Sequence, residues 1–143
     1  MFSKTCEYGI RAALYIASKS KKDERTNLKE VAREIDSPPA FTAKILQNLV
    51  RHGVVESLKG PSGGFVIRKS PKPVRLIEVV TAIDGDKIFN GCGLGLKACD
   101  ASFPCPIHDQ FAKVRDELKK MLEETVITDL SDGLEKGMSF LKR

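Results

Sequence analysis

Two short helical patterns joined by a tight turn, with a glycine-rich hairpin directly after them, constrain the fold of this sequence most. Asn27 and Glu30 form a capping box. It opens a short helix whose apolar stripe is Leu28, Val31, Ala32 and Ile35. The segment "DSPP" ends this helix, and its prolines suit the first turn of another helix that stops at Gly53. This arrangement predicts a helix-turn-helix.

The residues after Gly53 predict a wing. The stretches "VVESL" and "FVIR" are typical of strands, and "KGPSGG" between them is typical of a hairpin turn. A first helix from Ser3 to about Ala17 and a fourth within "VRLIEVVTAID" complete this N-terminal part of the chain, which we call the head. We therefore expect a mainly α fold with a small β-hairpin, a winged helix-turn-helix followed by a long C-terminal dimerisation helix.

The C-terminal part carries a heptad-like apolar seam. From Pro106 onward, apolar residues recur in steps of four and three, at Ile107, Phe111, Val114, Leu118 and Met121. This stripe favours a homodimer, although a helix folded back on its own head would also cover it. The tail after it has weaker helical spacing because of Gly133 and Gly137. We expect three parts: 1–84, the DNA-binding domain; 85–108, a cysteine-rich loop; and 109–143, the dimerisation helix and tail.

Composition agrees with a DNA-binding protein. The 143 residues include 24 Lys and Arg against 19 Asp and Glu, a net charge of +5 that favours a polyanionic partner. No apolar run approaches the length of about 20 residues that spans a bilayer. We therefore expect a cytoplasmic protein that does not enter the membrane.

The third helix and the wing supply the candidate DNA contacts. The helix face opposite the apolar residues carries Ala40, Ala43, Lys44 and Gln47, which would enter the major groove. In the wing, a flexible glycine-rich turn suits contact with phosphate or the minor groove, and its candidate residues are Lys59, Ser62 and Arg68. The partner would be double-stranded DNA with a roughly palindromic operator. The alternative is an ordinary solvated polar face beside an ordinary hairpin.

Cys92, Cys99, Cys105 and His108 lie within one glycine-containing loop with the spacing C-x6-C-x5-C-x2-H. In a reducing compartment, such a cluster favours a metal site over disulfides. Thiolates with one histidine can bind zinc or an iron-sulfur cluster, and the wide spacing favours the cluster only modestly. A thiol-dependent redox enzyme is disfavoured because no CxxC pair is present. We therefore expect no enzyme activity.

The segments "YGIRAALYIA", "RHGVVES", "LKGPSGGF" and "CGLGLKACDASFPCPIH" together resemble the Rrf-type family of winged-helix iron-sulfur transcription regulators and repressors, which are IscR/NsrR-like. The resemblance covers nearly the whole chain. It implies a homodimer with crossing long helices. It also implies a [2Fe-2S] or [4Fe-4S] cluster that reports iron-sulfur status, oxidative stress or nitric oxide.

By this resemblance, Cys92, Cys99 and Cys105 match the three cysteine ligands of the family. His108 falls where some members supply a histidine to a [2Fe-2S] cluster. Glu7 falls where others place an aspartate that reaches a [4Fe-4S] cluster from the partner subunit. Because both candidate fourth ligands are present, the cluster type stays open, and so does the alternative of a structural zinc site.

Overall fold

Seven α-helices and one two-stranded antiparallel hairpin make up the chain in a computed structural model, which describes residues 1–143. The elements follow in the order α1 (Lys4–Ser20), α2 (Leu28–Glu34), α3 (Pro39–Arg51), β1 (Val55–Leu58), β2 (Gly64–Ile67), α4 (Leu76–Asp84), α5 (Lys87–Asn90), α6 (His108–Glu124) and α7 (Ile127–Glu135). The predicted fold class is confirmed. None of these helices is both long enough and apolar enough to span a bilayer.

Helix α1 is the central element of the fold. Its start is capped by Ser3, whose Oγ accepts a hydrogen bond from the Cys6 N–H at 3.0 Å. Its buried face consists mainly of small residues, and α2, α3, α4, α7 and β2 all pack around it. At Gly9, a Cβ atom would lie 2.0 Å from Cδ1 of Ile83, so glycine allows α4 to approach α1 closely.

The helix-turn-helix consists of α2 and α3. The Asn27 side chain accepts from the Glu30 N–H at 2.9 Å, as the capping pattern predicts. Thr42 is fully buried, and its hydroxyl donates to the Pro38 carbonyl at 2.9 Å. This burial was not predicted. It is possible because the first turn of α3 offers an acceptor for the hydroxyl.

The wing pairs Val55 with Ile67 and Leu58 with Gly64. Gly64 has φ +146°, and a Cβ there would lie 2.6 Å from the Thr26 carbonyl oxygen, so only glycine fits. Thr26, in the α1–α2 connection, forms an isolated antiparallel bridge with Phe65. Thr26 therefore adds a one-residue bridge to the two-stranded hairpin of the wing, which the sequence patterns did not indicate.

Helix α6 is tied to the head at its C-terminal end. Leu122 is fully buried in a cluster with Cys6, Leu76, Val80 and Phe89. Just beyond α6, the Thr125 carbonyl accepts from the Leu76 N–H at 2.9 Å. The chain then forms α7, whose Ile127 joins the main core. Helices α5 and α7 were not predicted as separate elements.

The C-terminal tail returns to the helix-turn-helix. The Arg11 guanidinium donates to the carbonyls of Ile35, at 3.1 Å, and Leu141, at 3.3 Å. Lys142 donates to the Arg33 carbonyl at 3.1 Å. The last residues thus contact the end of α2, which the sequence patterns did not indicate.

The apolar seam of α6 is covered only in part. Within the seam, Phe111 and Leu118 are half-buried, yet Val114 remains 57% exposed and Met121 47% exposed. Beside the seam, Leu122 is fully buried. Folding back on the head therefore accounts for one side of the helix, and a stripe on the other side has no cover within the chain. A homodimer that covers this stripe stays a prediction.

We expect Leu122→Ala to lower the free energy of unfolding by about 2–5 kcal/mol, because the substitution leaves a cavity in the cluster that joins α6 to the head. Urea unfolding at one fixed protein concentration measures the loss. Leu96→Ala is the control, since Leu96 is 55% exposed, and should change stability by no more than about 0.5 kcal/mol. Equal small losses in both variants would show that α6 is not packed on the head.

Candidate DNA-binding face and cysteine loop

The outward face of α3 presents the predicted base-reading residues. Lys44, Gln47 and Ala40 are exposed and Ala43 is half-buried, while Ile45, Leu46 and Leu49 on the opposite side are buried. This division follows from the helical period, and it leaves a polar face with one cation free to enter a groove.

The wing presents two of its three predicted contacts. Lys59 and Ser62 are exposed in the turn between β1 and β2. Arg68 instead points towards α4, where its guanidinium donates to the Glu78 carboxylate at 3.0 and 3.5 Å and to the Gly53 carbonyl at 3.4 Å. The Glu78 carboxylate draws the cation inward, so Arg68 fastens the wing to α4 and is not displayed on the wing surface.

The cysteine loop is held against α6 by two contacts. The Arg115 guanidinium donates to the Gly91 carbonyl at 3.1 Å. Gly93 lies over the ring of Phe111, where a Cβ would come within 2.8 Å of the ring carbons. Arg115 was not singled out from the sequence, because a lone arginine in an amphipathic helix carries no signal of such a role. These contacts fix the position of the neighbouring Cys92.

Backbone N–H groups surround the sulfur of Cys92. The Leu94 N–H donates to this sulfur at 3.4 Å. Hydrogen bonds from the backbone of Leu94 and Leu96, with a smaller contribution from the Cys105 thiol, hold the pKa of Cys92 below its ordinary value. The loop therefore favours the thiolate, which is the form that binds metals.

The other two loop ligands also meet. The Cys99 sulfur lies 3.5 Å from Nδ1 of His108, which is the first residue of α6. Cys99 and His108 thus form one pair, and the Cys105 thiol contributes to the lowered pKa of Cys92. No three His, Cys, Asp or Glu side chains in the chain are close enough together to hold a metal ion. The donor chemistry fits iron or zinc, and binding would require the four candidate ligands to draw together.

Glu7 is paired within α1 and not with the loop ligands. Its carboxylate pairs with Lys4, one turn earlier in α1, at 3.2 Å, and it is 46% exposed. No hydrogen bond or ion pair joins it to the loop. Glu7 would therefore act on a cluster only if a second copy of the chain carried it there.

The fourth cysteine is of a different kind. Cys6 is fully buried, and burial, with a further contribution from Asp84, raises its pKa to about 12. A thiol of this kind neither ionises nor meets reagents in the folded protein. Cys6 therefore belongs to the core and not to the loop.

The reactivity of these thiols tests the loop geometry. A lowered pKa enlarges the thiolate fraction at a given pH. In the reduced, metal-free protein, alkylation of Cys92 by iodoacetamide should therefore rise with pH through a lower midpoint than in the urea-unfolded chain. Cys6 should react only after unfolding. Peptide mass spectrometry after timed quenching measures both rates.

Two substitutions of Leu94 test whether its N–H lowers the pKa of Cys92. Leu94→Pro removes the N–H that donates to Cys92 and should raise the alkylation midpoint. Leu94→Ala keeps this N–H and should leave the midpoint unchanged. A folded-state midpoint equal to the unfolded one would contradict this description of Cys92.

Comparison with known proteins agrees with this arrangement. The profile of the family Rrf2, described as "Iron-dependent Transcriptional regulator", matches residues 2–133. A putative HTH-type transcriptional regulator, rrf2-like, from Rhodobacter capsulatus is 33% identical over 138 residues, which cover 91% of each chain.

Two solved structures share the fold. CymR, described as the global cysteine regulator of B. subtilis, superimposes with a TM-score of 0.77 at 20% identity, covering 92% of this chain and 96% of that one. IscR of T. potens gives a TM-score of 0.73 at 18% identity, covering 97% and 91%. With a helix-turn-helix and wing, a thiol-rich loop, and a family match over residues 2–133, the chain belongs to the Rrf2 family of transcriptional regulators.

Proposed function

We propose that this protein is a cytoplasmic homodimer whose affinity for DNA depends on an iron-sulfur cluster in the cysteine loop. The observation that carries the proposal is the geometry of the loop, which Arg115 holds against α6 and in which the Cys99 sulfur lies 3.5 Å from Nδ1 of His108. The description of the family as iron-dependent supports iron over zinc. A structural zinc site, with DNA binding and no sensing, is the alternative.

On the DNA side, α3 would lie in the major groove with Lys44 and Gln47 towards the bases. The wing turn with Lys59 and Ser62 would contact the backbone or the minor groove beside it. A twofold dimer would place two such heads about one helical turn of DNA apart, which implies a roughly palindromic operator.

On the cluster side, Cys92, Cys99 and Cys105 would be the thiolate ligands. His108 would complete the set from the same chain, or Glu7 would do so from a second copy. When bound, an iron-sulfur cluster supplies a centre that responds to iron-sulfur status, oxidants or nitric oxide. The chain itself supplies anionic sulfurs, an imidazole and a loop fixed to α6.

A path of packed contacts connects the two sides. Arg115 and Phe111 join the loop to α6. Leu122 joins α6 to α4, and Ile83 of α4 lies against Gly9 of α1. Because α1 packs directly on α3, a shift of the loop would change the relative position of the two DNA-reading helices in a dimer. Linkage requires that the cluster and DNA alter each other's affinity by the same factor.

The uncovered stripe of α6 supports the dimer. Val114 and Met121 are exposed along one side of this helix, and pairing with the same stripe on a second copy would bury them. The crossing helices would also bring the loop of one chain near α1 of the other, which is what a contribution from Glu7 needs.

Charge removal tests the DNA-binding face. Lys44→Ala and Lys59→Ala should each weaken binding of a selected operator duplex in anaerobic gel shifts, with unfolding midpoints unchanged, because both side chains are exposed. Arg68→Ala should instead lower stability, by about 1–3 kcal/mol, because it removes the cation that pairs with the partly buried Glu78 carboxylate. Unchanged operator affinity in both lysine variants would overturn the assignment of this face.

Metal analysis tests the loop. Protein purified without oxygen should contain iron and sulfide in matching amounts and show visible absorption, and Cys92→Ala should lose all three. Cys6→Ala is the control, since Cys6 is a core thiol and not one of the loop ligands, and the iron content should stay unchanged in this variant. Zinc without sulfide in the wild-type protein would contradict the cluster and favour the structural zinc site.

A further inference from the structure

Arg25 is a cation that belongs neither to the helix-turn-helix nor to the hairpin, and it lies beside the wing. Arg25 belongs to the connection between α1 and α2, and it directly precedes Thr26, which is fully buried. Thr26 exchanges two backbone hydrogen bonds with Phe65 of β2, at 3.2 and 2.7 Å. This bridge fixes the backbone of Arg25 beside the wing.

The side chain of Arg25 reaches the turn of the wing. Its guanidinium donates to the Ser62 carbonyl, 37 positions later in the sequence, and the residue is exposed. The close packing of Gly64 against Thr26 leaves no room for a side chain between the two segments. Arg25 therefore lies beside the part of the wing that carries Lys59 and Ser62.

Arg25 makes no ion pair within the chain. Its acidic neighbour Glu24 pairs with Lys19 at 3.5 Å. None of the ion pairs of the chain includes Arg25 or Lys59. Two cations without an ion pair, Arg25 and Lys59, thus lie at the turn of the wing. Arg68, in contrast, is paired with Glu78.

A guanidinium has five N–H donors in a planar fork that matches a phosphate. The bond to the Ser62 carbonyl leaves several of these donors for another acceptor. A turn with two cations that make no ion pair, on the same molecule as a groove-reading helix, is suited to the phosphates that flank that groove.

We propose that Arg25 contacts the DNA backbone beside the wing and holds the wing turn in place. The inference rests on the proposed DNA-binding function and extends the contact surface to the α1–α2 connection. Arg25 would thus have two roles, one towards a phosphate through its charge and one towards Ser62 through its hydrogen bond.

The salt dependence of DNA binding tests this inference. The probe is a labelled duplex of about 30 base pairs, enriched from a random library with the wild-type protein and long enough for two half-sites. Fluorescence anisotropy measures Kd between about 0.05 and 0.3 M salt. Arg25→Gln should reduce the slope of log Kd against log salt by about 2 per dimer, one phosphate contact for each chain, and weaken binding about tenfold.

Two further variants separate charge from folding. Arg25→Lys keeps the charge and should keep a slope near that of the wild-type protein. Lys113→Gln removes an exposed cation from the polar side of α6 and should leave the slope unchanged. Unfolding midpoints of all three variants show whether the head is intact.

Each outcome has a separate meaning. A reduced slope in Arg25→Gln alone supports the phosphate contact. An unchanged slope in Arg25→Gln, with tight binding by the wild-type protein, overturns it while leaving the proposed function in place. Equal loss in Arg25→Gln and Arg25→Lys also overturns it, because the charge is then not what matters. If no duplex is enriched by the wild-type protein, the proposed function itself fails.

Discussion

The close packing of small side chains along α1 is the constraint on which the rest of the structure depends. Ala12, Ala13 and Ala17 are fully buried there, and Gly9 meets Ile83 of α4 with no space for a methyl group. A helix with such a face lets several neighbours approach at once. Helix α1 is therefore packed against α2, α3, α4, α7 and β2. The candidate DNA-reading helix α3 and helix α4, on which α6 packs, are therefore positioned by the same element.

Local patterns predicted the elements of the head well, because capping, helical period and turn chemistry act over a few residues. The Asn27 cap, the start of α3 at Pro39 and the hairpin around the glycine-rich turn all follow from them. The bridge between Thr26 and Phe65 could not be predicted in this way, since it joins residues far apart in sequence. Helix α7 was missed because its stability comes from packing on α1 and not from its own glycine-containing sequence.

In the candidate sites too, local patterns predicted some features, whereas others depend on contacts between residues far apart in sequence. The outward residues of α3 follow directly from the helical period, and the cysteine spacing identifies the loop. The direction of Arg68 depends on Glu78, a carboxylate in another element. The direction of Arg115 likewise depends on the Gly91 carbonyl, which lies outside its own helix. Long cationic side chains are the least predictable from sequence, because a single acceptor elsewhere in the fold decides whether they face solvent or protein.

The packing of α7 on α1 has a consequence for the order in which the chain can fold. Ile127 of α7 completes the core around Ala13 and Ile16 of α1. A ribosome makes α1 first and α7 about a hundred residues later. Until then, the nascent chain keeps part of the apolar face of its first helix uncovered. The native head is thus assembled only after α7 has been made, and the interval before it is when the growing chain is most exposed to association with other chains.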